Sequence, residues 1–258
     1  THYKKILADT ISPVSVYLKI RDQFPNSILL ESSDYHGNDN SFSYICCNPI
    51  ASIKVEASVI TKTYPDRTTE IKTVSHDKVT LEIDAFTKQF ETQKDKVFKF
   101  INNGMFGFTA YDAVKYFEDI TISKKNGSVE IPDMYYAVYQ NIIAINHFKN
   151  EAYIFAHCYE TESNIEAIDH LIKMQSFSSY DFKSIGSISS NLTDEAFKSN
   201  VDLAKKHCNR GDVFQLVLSK KFQQDFKGDD FNVYRALRSI NPSPFLFYFD
   251  YGKFKIFG

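Results

Sequence analysis

The chain has 258 residues, enough for one large domain or two small ones, and its 43% hydrophobic and 24% charged residues are an ordinary globular balance. A net charge of −2 gives no electrostatic case for a nucleic-acid partner. The N-terminus does not read as a signal peptide and no apolar run approaches the ~18 residues of a membrane helix; the four cysteines form no Cys-x-x-Cys pair and fit reduced thiols of a cytoplasmic protein.

Ser12-Pro13 reads as an N-cap and first-turn proline, with Val14, Tyr17, Leu18 and Ile20 or Phe24 following at helical spacing. Residues 27–32 read as a buried strand. Further strands are expected over 43–47, 51–57 and 58–64, where Ile53 and Val55 alternate with Lys54 and Glu56. Adjacent Cys46 and Cys47 then point to opposite faces. Leu81, Ala85, Phe86 and Phe90 share a helical face. Residues 105–111 look like a strand and 113–118 like a short helix, with Asp112 as its cap or as a subunit-contact residue. Residues 135–145 and 151–158 form a predicted hairpin, and Ile165, Ile168 and Ile172 mark another helix.

Seven serines (Ser176, Ser178, Ser179, Ser184, Ser187, Ser189 and Ser190) make 176–190 a predicted linker between 1–175 and 191–258. Thr193 then caps a helix with Phe197, Val201 and Ala204 facing inward, and Gly211 ends it. A strand is expected over 212–222, with Lys220 and Lys221 covering its exposed end. Asp230 is the expected cap of a helix carrying Val233 and Leu237. Two strands, 245–250 and 253–257, follow, joined at Tyr251-Gly252. Strands and helices mixed without strict βαβ alternation predict an α+β fold with mainly antiparallel sheets.

Two segments carry the most chemical information. Pro242 and Pro244 fix two φ angles and push Asn241 and Ser243 toward extended conformations, which makes a stiff corner with outward carbonyls. Gly211-Asp212-Val213-Phe214-Gln215 is a helix stop followed by a polar Gln among apolar residues. The pair resembles the Gly-Asp-Ile-Phe-Gln and Asn-Pro-Ser-Pro-Tyr motifs of the component I subunits of anthranilate synthase, in the chorismate-utilising enzyme family. Leu29-Leu30-Glu31-Ser32, the Gly107–Glu118 segment with its Tyr111-Asp112 pair, and Pro132-Asp133-Met134 are similar to further motifs of that family, in the same order.

The resemblance implies large antiparallel sheets packed face to face, with helices outside. It implies an enzyme that converts chorismate and ammonia to anthranilate and pyruvate with Mg²⁺. A glutamine amidotransferase partner supplies the ammonia, and L-tryptophan inhibits. The chain would hold the N-terminal half of that subunit: 1–175 with part of the tryptophan site, and 191–258 as the start of the chorismate-binding domain. The family's metal ligands would lie beyond Gly258, so the fold is expected to be incomplete and the isolated chain inactive.

Gln215 matches a strand position that is Lys in isochorismate and salicylate synthases of the superfamily. An amide has no basic nitrogen with which to activate water, so a Gln there suits ammonia as nucleophile; a purely structural strand Gln is the alternative. The tryptophan site would be lined by Glu31, Ser32, Asn241, Pro244, Phe245 and Leu246. An α-amino acid needs acceptors for its ammonium, donors for its carboxylate and an apolar slot. Corner carbonyls, Ser32, and the Pro244-Phe245-Leu246 wall supply these. Phe245 and Leu246 stand where the family usually has Tyr and Met, removing a hydroxyl and a thioether while keeping the wall. The seven histidines show no metal-ligand spacing. Two other functions fit parts of the pattern: aminodeoxychorismate synthase of the folate branch, and a non-catalytic amino-acid-binding module.

Overall fold

A computed structural model describes residues 1–32, 41–90, 97–122 and 131–258. In chain order the elements are β1 (His2–Leu7), α1 (Pro13–Ile20), β2 (Ile28–Ser32), β3 (Phe42–Glu56), β4 (Val59–Thr63), β5 (Thr69–Thr73), α2 (Val79–Thr87), β6 (Met105–Thr109), β7 (Met134–Asn146), β8 (Glu151–Ala156), α3 (Ile165–Lys173), β9 (Phe182–Ser190), α4 (Asp194–Arg210), β10 (Phe222–Gly228), α5 (Phe231–Ile240), β11 (Phe245–Asp250) and β12 (Lys255–Phe257). They fall into two units, Thr1–Ser178 with Leu237–Gly258, and Ser179–Ala236. No helix among the described residues is long and apolar enough to cross a membrane.

The first unit is built on β3 and β7, which pair antiparallel from Phe42↔Asn146 to Val55↔Met134. Each is long enough to serve two neighbours. The first half of β3 pairs with β2 and its second half with β4; β7 pairs first with β6 and then with β8. The register shifts between Pro49 and Ala51. Pro49 has no N–H to give a ladder, and Asn48 sits at φ 59, so the two residues suit a bulge that bends the strand. The resulting antiparallel sheet has the order β1-β8-β7-β3-β2-β11-β12, with β4, β5 and β6 extending its other end.

Strand parity decides both faces. The row Tyr3–Phe155–Ile142–Cys46–Ile28–Phe249 crosses six strands on one face, and Lys4–Ile154–Ile143–Ile45–Leu29–Tyr248 crosses the same strands on the other. Helices α1 and α3 pack on the second face, against β3 and β8. Ser12 caps α1 by accepting from Ser15 N, as its sequence predicts, and Pro13 opens it. On this face Lys4 reaches Glu166 and the buried Asp169 of α3. The first face is aromatic, with Phe42, Phe98, Phe100, Tyr44 and Tyr153 packed beside its buried row. Helix α2 covers the far end of the sheet, where Ile53, Val55, Ile60, Val79 and Phe86 are buried together. Cys46 and Cys47 occupy opposite faces as parity requires. Burial alone pushes the Cys47 thiol up to about 12, and burial, with Cys47 beside it, raises Cys46 well above the ordinary value.

Several expectations need correction. The helix expected over 113–118 is a 3-10 helix at Tyr111–Tyr116 with Ala110 at its N-cap, because Ala110 N is still bonded to Asp133 O. Asp112 therefore lies in the first turn and is not the cap. Strands β1 and β5 carry too little apolar alternation to be read from sequence.

In the second unit, α4 begins and ends as predicted: Thr193 Oγ1 accepts from Ala196 N, and Gly211 sits at φ 78. The predicted linker contains β9, paired antiparallel with β10. Serine favours turns, but a ladder partner overrides that weak local preference. Conversely, of the strand expected over 212–222 only Phe222 is in one, as the first residue of β10, and 212–221 lies outside any regular element, with no ladder partner among the described residues. Asp230 directly precedes α5, at the expected cap position, and its carbonyl accepts from Val233 N, while the Asp229 carboxylate accepts from Phe231 N.

Candidate functional site

The β2–β11 ladder brings two of the sequence motifs together. Ser32 is paired with Phe245 and Glu31 with Leu246. Asn241 closes the preceding helix by donating from its N–H to Leu237 O at 2.9 Å. The chain then turns through Pro242-Ser243-Pro244 into β11. Leu246 is buried, Asn241 and Pro244 are exposed, and Phe245 is 81% exposed. Residues 33–40, which follow Ser32 directly, lie outside the described residues.

The ladder also divides the candidate residues. Alternation sends Ser32 and Phe245 to the aromatic face, in line with Leu30 and Phe247. Glu31 and Leu246 point to the opposite face, in line with Leu29 and Tyr248. On that face the Glu31 side chain is only 3% exposed. Both of its oxygens accept from Arg238 Nε, at 3.0 and 3.2 Å. His147 is a third member of this region: its Nε2 lies 2.7 Å from Ser43 Oγ. Burial lowers the His147 pKa below the ordinary imidazole value, while the Glu31 charge opposes the shift and the Arg238 charge adds to it.

Arg238 and His147 were not among the residues picked from sequence. One signal for Arg238 was present. A carboxylate at a buried strand position needs a cation, and Arg238 stands on the helix that leads into the corner. Nothing comparable in the sequence points to His147.

Gln215 lies in the second unit, exposed, in the irregular segment after Gly211. Its neighbour Phe214 is fully exposed. A groove of about 470 Å³ runs between α4 and this segment, lined by Val201, Ala204, Lys205, Cys208, Leu216 and Leu218. Lys220 is held by Asp194 at the start of α4 and lies over the Phe222 ring, 5.1 Å from its centroid.

The remaining motifs serve the scaffold of the first unit. The Asp133 carboxylate accepts from Lys115 Nζ at 2.8 Å, Tyr116 Oη at 2.7 Å and Ala57 N at 3.0 Å, and Tyr116 Oη accepts from Ser58 N at 3.0 Å. Ala57 and Ser58 have φ of 47° and 66°, so the clamp holds a β3–β4 turn that L-residues seldom adopt. Burial acts to raise the Asp133 pKa, but the Lys115 and Tyr116 bonds hold it below the usual carboxylate value. Gly107 is required by space: a Cβ there would lie 1.9 Å from Tyr135 O across the β6–β7 ladder.

Among the described residues no three His, Cys, Asp or Glu side chains come together as metal ligands. The described residues thus do not by themselves offer a donor set for the Mg²⁺ that the resemblance implies.

The family model for chorismate binding enzymes matches residues 27–258. Anthranilate synthase component 1 of Lactococcus lactis is 28% identical, over 99% of this chain and 56% of its own length. The Saccharomyces cerevisiae protein of that name is 28% identical, over 96% and 50%. Aminodeoxychorismate synthase component 1 of Bacillus subtilis is 25% identical, over 98% and 54%. The chain spans about half the length of the curated relatives it matches. The crystal structure of anthranilate synthase component I from Streptococcus pneumoniae matches with a TM-score of 0.60 at 22% identity, over all of this chain and 57% of that one. That likeness shows a shared α+β fold with a large antiparallel sheet.

Proposed function

The chain belongs to the chorismate-binding enzyme family, and from that premise we propose that it is the N-terminal half of an anthranilate synthase component I. The whole protein would convert chorismate and ammonia to anthranilate and pyruvate in the cytoplasm, with Mg²⁺ held outside the described residues and ammonia supplied by a glutamine amidotransferase. Tryptophan would inhibit it at the corner where β2 meets β11. The observation that carries this reading is the register that seats Glu31-Ser32 beside Phe245-Leu246. Two segments about two hundred positions apart, each resembling the same regulatory site, are neighbours in the ladder.

The chemistry of the corner suits an aromatic amino acid. Ser32 offers a hydroxyl donor for the carboxylate, and the corner carbonyls offer acceptors for the ammonium. The exposed Phe245 ring offers a face for an indole. Gln215, in this reading, approaches the chorismate site once the rest of the family's length is present. Its amide can orient ammonia by hydrogen bonds but cannot deprotonate water. Residues 191–258 would open the chorismate-binding region.

The test is product analysis on the complete protein that carries this chain, supplied with chorismate, ammonia and Mg²⁺. Anthranilate, detected by its fluorescence and suppressed by added L-tryptophan, is the expected result. Formation of aminodeoxychorismate without anthranilate would replace the reading with the folate-branch enzyme, to which the Bacillus subtilis relative belongs by name. Tryptophan binding without turnover of chorismate would leave a regulatory module.

A further inference from the structure

We propose that Arg238, acting through Glu31, is a positioning residue of the 241–245 corner: the ion pair sets the affinity for an α-amino-acid inhibitor without touching it. The proposal rests on the reading of this corner as the tryptophan site.

Three observations carry it. Glu31 is on the opposite face of β2 from Ser32 and Phe245, so its carboxylate is turned away from the ligand's side of the strand. Both of its oxygens are engaged by Arg238 Nε, and the side chain is almost wholly buried. Arg238 sits in the last turn of α5, where Asn241 N closes the helix on Leu237 O, and the chain leaves directly into Pro242-Ser243-Pro244.

The segment from Arg238 to Leu246 is therefore an arch with both feet on one residue of β2. At one foot Arg238 grips the Glu31 side chain. At the other Leu246 is paired with the Glu31 backbone. Between the feet two prolines remove backbone freedom, so any movement of one foot is passed to the carbonyls and to Phe245. A buried carboxylate that loses a cation held at 3.0 Å is less well compensated, and its surroundings must readjust. That shifts the arch even though no group facing the ligand has changed.

The complete protein and its variants Glu31→Gln, Arg238→Met, Arg238→Lys and Glu31→Gln/Arg238→Met test this by calorimetric titration with L-tryptophan and by hydrogen exchange over 241–247. Each charge-removing single variant should weaken binding about tenfold or more, the size of one lost charge-assisted bond, and should speed exchange in the arch. Arg238→Lys should lie between wild type and Arg238→Met. The double variant, which removes both charges of the pair together, should recover most of the affinity and protection. Tight binding by Arg238→Met with weak binding by Glu31→Gln would mean that Glu31 contacts the amino acid itself, and would overturn the proposal. So would wild-type exchange in both single variants. Failure of the wild-type protein to bind L-tryptophan at all would refute the site reading alone; the exchange pattern would then still decide whether the pair positions the arch.

Discussion

Two of the motifs met very different fates. Leu29-Leu30-Glu31-Ser32 is held in a sheet, all four residues paired with β11 and the two leucines also with β3, and Leu29 is wholly buried. Gly211-Asp212-Val213-Phe214-Gln215 is just as distinct in sequence, yet its residues lie outside any strand and Phe214 is fully exposed. Both contain residues suited to strands. The difference is partnership: a strand satisfies its N–H and C=O groups only through a neighbour. A motif's residue types announce what it can form, and other parts of the chain decide whether it does.

The strongest way to break this contrast is to attack the paired motif. Leu29→Ala should cost about 2–5 kcal/mol of stability, the range for truncating a buried leucine, read by urea denaturation. A loss below about 1 kcal/mol would show that β2 is not held as described. The Asp133 clamp comes next. Asp133→Asn keeps the shape but removes the charge that gathers Lys115, Tyr116 and the β3–β4 turn. It should cost about 2–3 kcal/mol, as for hydrogen bonds to a charged group, and loosen exchange at Ala57 and Ser58.

Acid should act on the first unit through its histidines. Burial is the main cause that lowers the pKa of both His147 and His157, while the Glu31 charge opposes it at the first and the Asn102 carbonyl at the second. The unfolded chain takes up these protons near the ordinary value of about 6.5, and the folded chain does so only at lower pH. Stability is thus complete above that value and is lost as pH falls toward the folded values. The thermal midpoint should drop between about pH 7 and about pH 5, and His157→Asn should flatten the profile; a midpoint independent of pH over that span would contradict the burial of both rings. The smallest effect belongs to the unpaired motif: Phe214→Ser should change stability by no more than about 0.5 kcal/mol, as at ordinary surface positions. A larger loss would reveal a partner for this segment.

Legibility followed the range of the interactions. The cap at Ser12, the cap at Thr193 and the glycine stop at Gly211 were readable because each depends on a few neighbouring residues. The hairpin of β7 and β8 was readable because two mostly apolar runs flank a short, mostly polar turn at 147–150. The serine-rich 182–190 strand was not, because its stabilising partner, β10, pairs across separations of 32 to 46 positions and is itself largely polar. Within the candidate site, the proximity of 31–32 to 245–246 came with the family resemblance. The division of those residues between two faces follows from parity once the pairing is known.

By itself the sequence determined the strand parity that separates Cys46 from Cys47, the stiffness of the proline corner and the family to which the motifs point. Each of these is a property of adjacent residues, whereas the separation of Glu31 from Ser32 waited on the β2–β11 pairing. Only the tertiary structure decided that Asp133 is a clamp, that Gly107 makes room for a neighbouring strand and that Arg238 pairs with Glu31. That last pair is separated by 207 positions. Its meeting depends on the whole β2–β11 register, because a buried charge is stabilised by whatever the completed fold places within reach.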